Sequence, residues 1–245
     1  MSEPLDWIEP DWPAPRSVSA LVSTRGGGSS VGPFASLNLG AHVGDDPAAV
    51  AENRARVRAA LPAHPVWLQQ VHGVNVVDAA QVETDATADA AFTRAPGVVC
   101  AIQVADCLPV LFCDRDGTTV AAAHAGWRGL SAGILERTVA AFGRPPETLL
   151  AWLGPAIGPS AFEVGADVFE TYTATDPEAA AAFRPLREGK WLADLYALAR
   201  RRLSRSGLQN VYGGGLCTVS DPARFFSYRR DRVTGRQAAF VWLDI

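Results

Sequence analysis

The sequence predicts one domain of the mixed-sheet α/β (α+β) class spanning residues 1–245, and three observations predict it. The chain is 245 residues long with 48% apolar residues, which is within the range of a single large core. Runs with few charges at 97–104, 108–113, 119–123 and 149–153 read as strands buried on both faces. Strands and helices follow one another without the regular βαβ alternation of a doubly wound sheet.

In chain order, 19–24 alternates apolar and small polar residues and reads as a strand, followed by the flexible loop Arg25-Gly26-Gly27-Gly28-Ser29-Ser30. Asp46-Pro47 opens a helix that runs to about Ala60 and is stopped by Pro62 and Pro65. Strands are expected at 66–71 and 75–78 around the His72-Gly73 turn. Residues 79–93 are polar, rich in Ala and without a period, and are expected to be loop. After the central buried strands come helices at 129–142 and 164–172. The segment 191–206 reads as an amphipathic helix, with Leu192, Leu195, Leu198 and Leu203 inward and Arg200, Arg201 and Arg202 outward. Val211, 225–228 and 238–243 are expected to be late strands.

Composition excludes several function classes. A formal charge of -4 leaves no basic footprint for nucleic acid. No apolar run approaches the roughly 18 residues that span a bilayer. The opening residues Met1 to Trp7 lack the basic and apolar regions of a secretory leader, so the protein is expected in the cytoplasm. In that reducing compartment Cys100, Cys107, Cys113 and Cys217 are expected to be thiols, with Cys100 and Cys113 in the core.

The chain has only four histidines, His42, His64, His72 and His124. His72 sits at a strand end before Gly73, and His124 closes the buried run Val120-Ala121-Ala122-Ala123. Cys107 lies where one buried strand gives way to the next. Three ligand-type side chains thus fall at strand-to-loop junctions, which at one edge of a sheet can converge. Two imidazoles with one thiolate form a known catalytic zinc set whose fourth position takes water or substrate, and zinc lowers the pKa of bound water towards about 7. The separations, about 35 and about 17 residues, are unlike a closed zinc finger. Spacing alone therefore leaves core His and Cys residues as the alternative.

Several motifs in series carry a family resemblance: Thr24-Arg25-Gly26-Gly27-Gly28-Ser29, Ser36-Leu37-Asn38-Leu39-Gly40, Gly44-Asp45-Asp46-Pro47 and Glu52-Asn53-Arg54. They continue with Gln69-Gln70-Val71-His72-Gly73, Ala105-Asp106-Cys107-Leu108-Pro109-Val110 and His124-Ala125-Gly126-Trp127-Arg128-Gly129, then Gly154-Pro155-Ala156-Ile157-Gly158-Pro159 and Phe226-Ser227-Tyr228-Arg229-Arg230-Asp231. In order and number they resemble the laccase-like multicopper polyphenol oxidase family, the YfiH and YlmD proteins. Its characterised members are zinc-dependent purine nucleoside phosphorylases. The resemblance covers nearly the whole chain from about residue 20. It implies a layered α/β sandwich related to a toxin-type Cys/His deamidase, with Zn2+ held by His72, Cys107 and His124. It also implies phosphorolysis of adenosine, inosine, guanosine and methylthioadenosine, with deamination of adenosine. Bacterial relatives are linked besides to peptidoglycan-precursor editing. The partners implied are a small-molecule nucleoside and phosphate, with no nucleic acid and no membrane.

Around that centre a phosphorylase needs anion contacts. Arg25 with its glycine loop offers a guanidinium and a backbone nest, against the reading of a surface turn. Arg128, Arg229 and Arg230 are further candidates for phosphate or ribose, against structural ion pairs. Asn38 is a candidate polar contact or a turn cap, and Asp106 a candidate acceptor orienting a ligand histidine. His42 is a candidate base or a surface residue, and Trp127 a candidate pocket wall. Three rivals stand beside the phosphorylase. Four histidines, with Met1 the only methionine, are too few for a dedicated multicopper oxidase, although copper is admitted as an occupant in vitro. A metal-free amide hydrolase would use Cys107 as nucleophile and His124 as base. A binding module would leave the polar motifs without a role.

Overall fold

The computed structural model describes residues 4–245; Met1 and the first part of the N-terminal segment lie outside the described residues. Two large mixed sheets pack face to face. One has five strands in the order Trp7–Ile8, Val18–Ser23, Gln237–Leu243, Val99–Val104 and Pro65–Val66. The other has six, in the order Asn210–Gly213, Leu149–Leu153, Leu108–Asp114, Val120–Ala125, Ala90–Thr93 and Val76–Asp78. Most neighbours are antiparallel, and the outermost pairs of the six-stranded sheet are parallel. The mixed-sheet α/β expectation therefore holds.

Alternation along each strand divides the core into three layers. Cys100, Ile102 and Val104 meet Leu111, Cys113 and Ala122 between the sheets, together with Ala239, Val241 and Trp152. The opposite parity of the six-stranded sheet, including Val110, Phe112, Ala121 and Leu153, is covered by the helices Ile134–Ala141 and Leu195–Arg205. The outer face of the five-stranded sheet, with Ala101, Phe240 and Trp242, is covered by Leu37, Leu39 and Val57. Val57 belongs to the helix Pro47–Arg58, which opens on Asp46 as its N-cap. This gives a helix–sheet–sheet–helix sandwich. The central strands carry side chains of both parities into apolar layers, which is why they read as unbroken apolar runs.

Four expectations are corrected. The segment 79–93 is not all loop: Ala86–Thr87 and Ala90–Thr93 are strands, the latter an inner strand of the six-stranded sheet. The helix expected from 191 begins at Leu195, because Asp194 caps it by accepting from the Ala197 N–H at 3.0 Å. The four residues Lys190–Ala193 before it form a strand, where Leu192 is buried. The helix expected across 129–142 breaks at Gly133, whose φ of 101° lies in the left-handed region. Phe225 and Phe226 are fully buried but not in a strand: the Gln237 side chain bonds the backbone N–H and C=O of Phe226 at 2.9 and 3.3 Å. The chain then enters the short helix Tyr228–Asp231. Among the described residues, no helix is long and apolar enough to cross a membrane.

Candidate metal centre

The three junctions named from sequence do converge. Ligand atoms of His72, Cys107 and His124 all lie within 4.8 Å of one another, and Cys107 Sγ is 3.7 Å from His72 Nε2. A tetrahedral zinc with bonds near 2.3 Å to sulfur and 2.0–2.1 Å to nitrogen would separate S and N by about 3.6 Å. The donor set and its spacing therefore fit a metal ion with an open fourth position.

His124 is the penultimate residue of the strand Val120–Ala125 and is buried. Cys107 follows the strand Val99–Val104 after two residues, and its turn is made by Asp106 at φ 91°. His72 follows the strand Leu68–Gln69 in the left-handed conformation, at φ 60°. Two of the elements around the cluster thus carry a non-glycine residue at positive φ, a cost that persists only where surrounding contacts over-determine it.

At the His72 turn those contacts come from Asp89, a fully buried residue in the segment expected to be loop. Its Oδ1 accepts from the His72 backbone N–H at 2.8 Å and from His124 Nδ1 at 2.8 Å. Its Oδ2 accepts from the N–H groups of Gly73 at 2.6 Å and Val71 at 3.2 Å. One carboxylate therefore shapes the His72 loop and fixes the His124 tautomer, leaving His124 Nε2 for the cluster. Burial pushes the Asp89 carboxyl up, but the bonds from His124 and Gly73 outweigh it and hold the pKa below the ordinary range. Burial likewise pushes the Cys107 thiol up, while the His124 charge and hydrogen bonds from both imidazoles bring it well below an ordinary thiol. His124 moves the other way: burial lowers it, and the Cys107 thiolate and Asp89 raise it by more.

Asp106, expected to orient a ligand histidine, acts elsewhere. It accepts from Thr218 Oγ1 at 2.5 Å and from the Arg229 N–H at 2.6 Å, tying the 217–219 and 228–231 segments to the Cys107 turn. Close packing explains the glycines of the His124 motif. A Cβ on Gly126 would lie 2.9 Å from both Cys107 Sγ and His72 Cδ2, and one on Gly129 would lie 2.9 Å from the Gly73 carbonyl oxygen.

The cluster opens on a cleft with two halves that share Cys107 and Tyr228. The more polar half, of about 270 Å3, is lined by His42, Gln70, Gln103 and Arg236 with the two cluster histidines. An apolar half of about 130 Å3 is lined by Trp127, Ile157, Phe162, Leu195 and Arg229. Trp127 is thus a pocket wall, and His42 and Arg229 reach the cleft. The other candidates lie differently. Arg25 donates from Nε to the Ala35 carbonyl at 2.9 Å and from Nη1 to the Pro222 carbonyl at 3.1 Å. Arg230 donates to the carbonyls of Thr218, Val219 and Phe225 and pairs with Asp231 at 2.7 Å. Arg128 stacks over Trp127, 4.3 Å from the ring centroid. Asn38 is fully buried and accepts from the Gly40 and Arg236 N–H groups at 2.9 and 2.8 Å. Sequence reasoning did not single out Asp89, Gln70, Gln103 or Arg236.

Comparison with known proteins adds the family. A profile described as "Multi-copper polyphenol oxidoreductase laccase" matches residues 19–244. A purine nucleoside phosphorylase of Pseudomonas aeruginosa is 58% identical over 239 residues, covering 97% of this chain and 98% of that protein. The purine nucleoside phosphorylase YfiH of Escherichia coli is 56% identical over 240 residues, covering 96% and 98%. The crystal structure of a Neisseria meningitidis protein superposes with a TM-score of 0.93 at 53% identity, covering 98% of this chain and 99% of that one. YlmD from Geobacillus stearothermophilus superposes at 0.92 with 33% identity, covering 100% and 98%.

Proposed function

Because the chain belongs to this laccase-like family, we propose that it is a zinc-dependent purine nucleoside phosphorylase that also deaminates adenosine, with the zinc held by His72, Cys107 and His124. The observation that carries the reading is the convergence of two imidazoles and one thiolate, braced by a buried carboxylate, at the floor of a two-sided cleft. Close relatives named purine nucleoside phosphorylase, matched over nearly their full length, support the substrate class.

In phosphorolysis an oxygen of inorganic phosphate bonds to the anomeric carbon of the nucleoside. The bond from that carbon to the base nitrogen breaks, its electron pair leaves with the base, and the base takes up the proton that the attacking phosphate gives up. The products are the free base and ribose 1-phosphate. Zinc, when bound, supplies a Lewis-acid position that polarises an oxygen ligand. The chain's own residues do the rest. Asp89 holds His124 with its Nε2 lone pair toward the cluster, and the same carboxylate fixes the loop that presents His72. Cys107 would hold the ion as its thiolate and His124 as its neutral imidazole, so that binding releases their protons. The walls of Trp127, Phe162 and Tyr228 hold the reactants out of bulk water and limit their orientations.

A multicopper oxidase reading, which the family description would suggest, finds one cluster of His, Cys, Asp and Glu of ligand type among the described residues, with two histidines in it. A cluster of several coppers needs more imidazoles. The test is adenine release from adenosine by the zinc-loaded protein with and without inorganic phosphate. Release that rises with phosphate and saturates is expected. Release at the same rate without phosphate would make the protein a hydrolase.

A further inference from the structure

The polar half of the cleft contains two groups whose hydrogen-bonding capacity the protein does not use. Arg236 is the first. Its backbone is fixed by Asn38 Oδ1, which accepts from the Arg236 N–H at 2.8 Å, and by the Leu39 N–H, which donates to the Arg236 carbonyl at 3.0 Å. Its stem runs under Gly40, where a Cβ would lie 2.8 Å from Arg236 Cγ. Only Nη1 finds acceptors, the Thr234 and Gly235 carbonyls at 3.1 and 2.9 Å. None of the ion pairs among the described residues includes Arg236. The guanidinium is mostly desolvated, and Cys107 and Asp106 lie near enough to favour its charge without pairing with it, so its Nε and Nη2 donors stay free to meet an anion.

Gln103 is the second. Its side chain is only 5% exposed, yet its Oε1 has no hydrogen-bond partner. The residue is not loose: the Gln70 side chain accepts from its N–H and donates to its carbonyl, both at 2.8 Å. A buried amide held by its backbone and left unpaired in a cleft calls for a ligand. Its NH2 makes no hydrogen bond among the described residues, so it is the group of this amide that can donate to an anionic oxygen in the cleft. His42 lines the same half, and burial with the charges of Arg236 and Arg54 pushes its pKa down, so it adds a neutral donor.

The other half of the cleft has the opposite character. Trp127, Ile157, Phe162 and Leu195 offer stacking and apolar surface. Its one cation, Arg229, donates from Nη1 to the Glu163 carbonyl at 2.9 Å and lies over the Phe162 ring at 5.4 Å. A phosphate dianion placed there would lose its hydration against a mostly apolar wall with Arg229 alone to meet it, whereas a flat purine would bury its faces.

We propose that Arg236 and Gln103 form the phosphate subsite of this enzyme and that the purine lies in the apolar half, with the metal cluster and Tyr228 between them. The assignment rests on the phosphorolysis reading. It orients the substrates: the phosphate oxygen approaches the anomeric carbon from the Arg236 side, and the bond to the base breaks toward Trp127. The guanidinium offers the planar fork that matches two phosphate oxygens at once.

The test is a kinetic comparison of wild type, Arg236→Met and Gln103→Leu, each zinc-loaded and checked for zinc content and circular dichroism. In Arg236→Met the KM for phosphate should rise by roughly thirtyfold or more, the effect of truncating one partner of a buried charged pair. The KM for inosine should stay within about twofold, because the base pocket is untouched. Gln103→Leu should raise the phosphate KM by about tenfold, one charge-assisted hydrogen bond. Inorganic phosphate alone should raise the Tm of the wild type, and this shift should shrink in both variants. An unchanged phosphate KM in a folded Arg236→Met variant would overturn the subsite while leaving phosphorolysis standing. If Arg236→Met does not fold, an unchanged phosphate KM in Gln103→Leu overturns it instead. A wild type indifferent to phosphate overturns the phosphorylase reading and the subsite with it.

Discussion

Replacing Asp89 by Asn tests how the centre is held. In the protein each carboxylate oxygen accepts two hydrogen bonds, Oδ1 from His72 N–H and His124 Nδ1, Oδ2 from Gly73 and Val71 N–H. An amide has one oxygen and one NH2, so whichever way it turns, two donors face a donor. If the NH2 takes the Oδ1 side, His124 must accept at Nδ1 and carry its proton on Nε2, where it can no longer ligate a metal. If it takes the Oδ2 side, the His72 loop loses its anchor. The two bonds lost to the NH2 are bonds to a charged acceptor, about 2 kcal/mol each, so the substitution amounts to roughly 4 kcal/mol of folding stability. For a domain of this size that is roughly 10 °C in Tm. Outer partners of ligating histidines are worth about 10–100-fold in metal affinity, or roughly 1.4–2.8 kcal/mol. The assay is a zinc titration against a competing chelator, alongside urea denaturation of the metal-free protein. Wild-type zinc affinity in a folded Asp89→Asn variant would refute the bracing role.

Three further outcomes follow from the same geometry. Gly126→Ala places a methyl 2.9 Å from Cys107 Sγ and His72 Cδ2, at a φ of -63° that Ala adopts freely, so zinc affinity should fall while the urea midpoint of the metal-free protein barely moves. Leu111→Ala, between the sheets, should cost about 3 kcal/mol in urea denaturation with zinc affinity unchanged. In the metal-free protein, Cys107 at about 6 and His124 at about 9 define a window. The depressed thiol stabilises the fold above its ordinary pKa and loses that contribution as pH falls through about 6. The raised imidazole contributes below its ordinary pKa and loses it as pH rises through about 9. Alkylation of metal-free Cys107 should therefore rise with a midpoint near 6, and zinc should suppress it; a midpoint at the ordinary thiol value of about 8.5 would contradict the pairing.

The three cluster residues were legible because rare residue types fell at strand ends, and the family motifs singled out the same three. Asp89 was not, because its neighbours Thr87, Ala88, Ala90 and Ala91 are small and carry no period, so an inner strand looked like a loop. A signal was present: one acidic residue immediately before the apolar Ala90-Ala91-Phe92 must be either exposed or paired. The helix start at Leu195 was also readable, from Asp194 as a cap, but Trp191 and Leu192 happen to continue the helical phase while pairing with strands. Phe225 and Phe226 looked like strand residues by composition. The Phe226 backbone bonds to the Gln237 side chain instead, a partner 11 residues away that no periodicity indicates. Arg236 stands out only in three dimensions, through the donors it leaves unused beside the cluster.

The most direct measurement of the metal centre is anomalous diffraction at the zinc edge from crystals of the zinc-loaded protein. The account predicts one peak within about 2.0–2.1 Å of His72 Nε2 and His124 Nε2 and about 2.3 Å of Cys107 Sγ, with Asp89 still bonded to His124 Nδ1. A peak bonded to other side chains, or a zinc that reaches His124 through Nδ1 with Asp89 displaced, would contradict it.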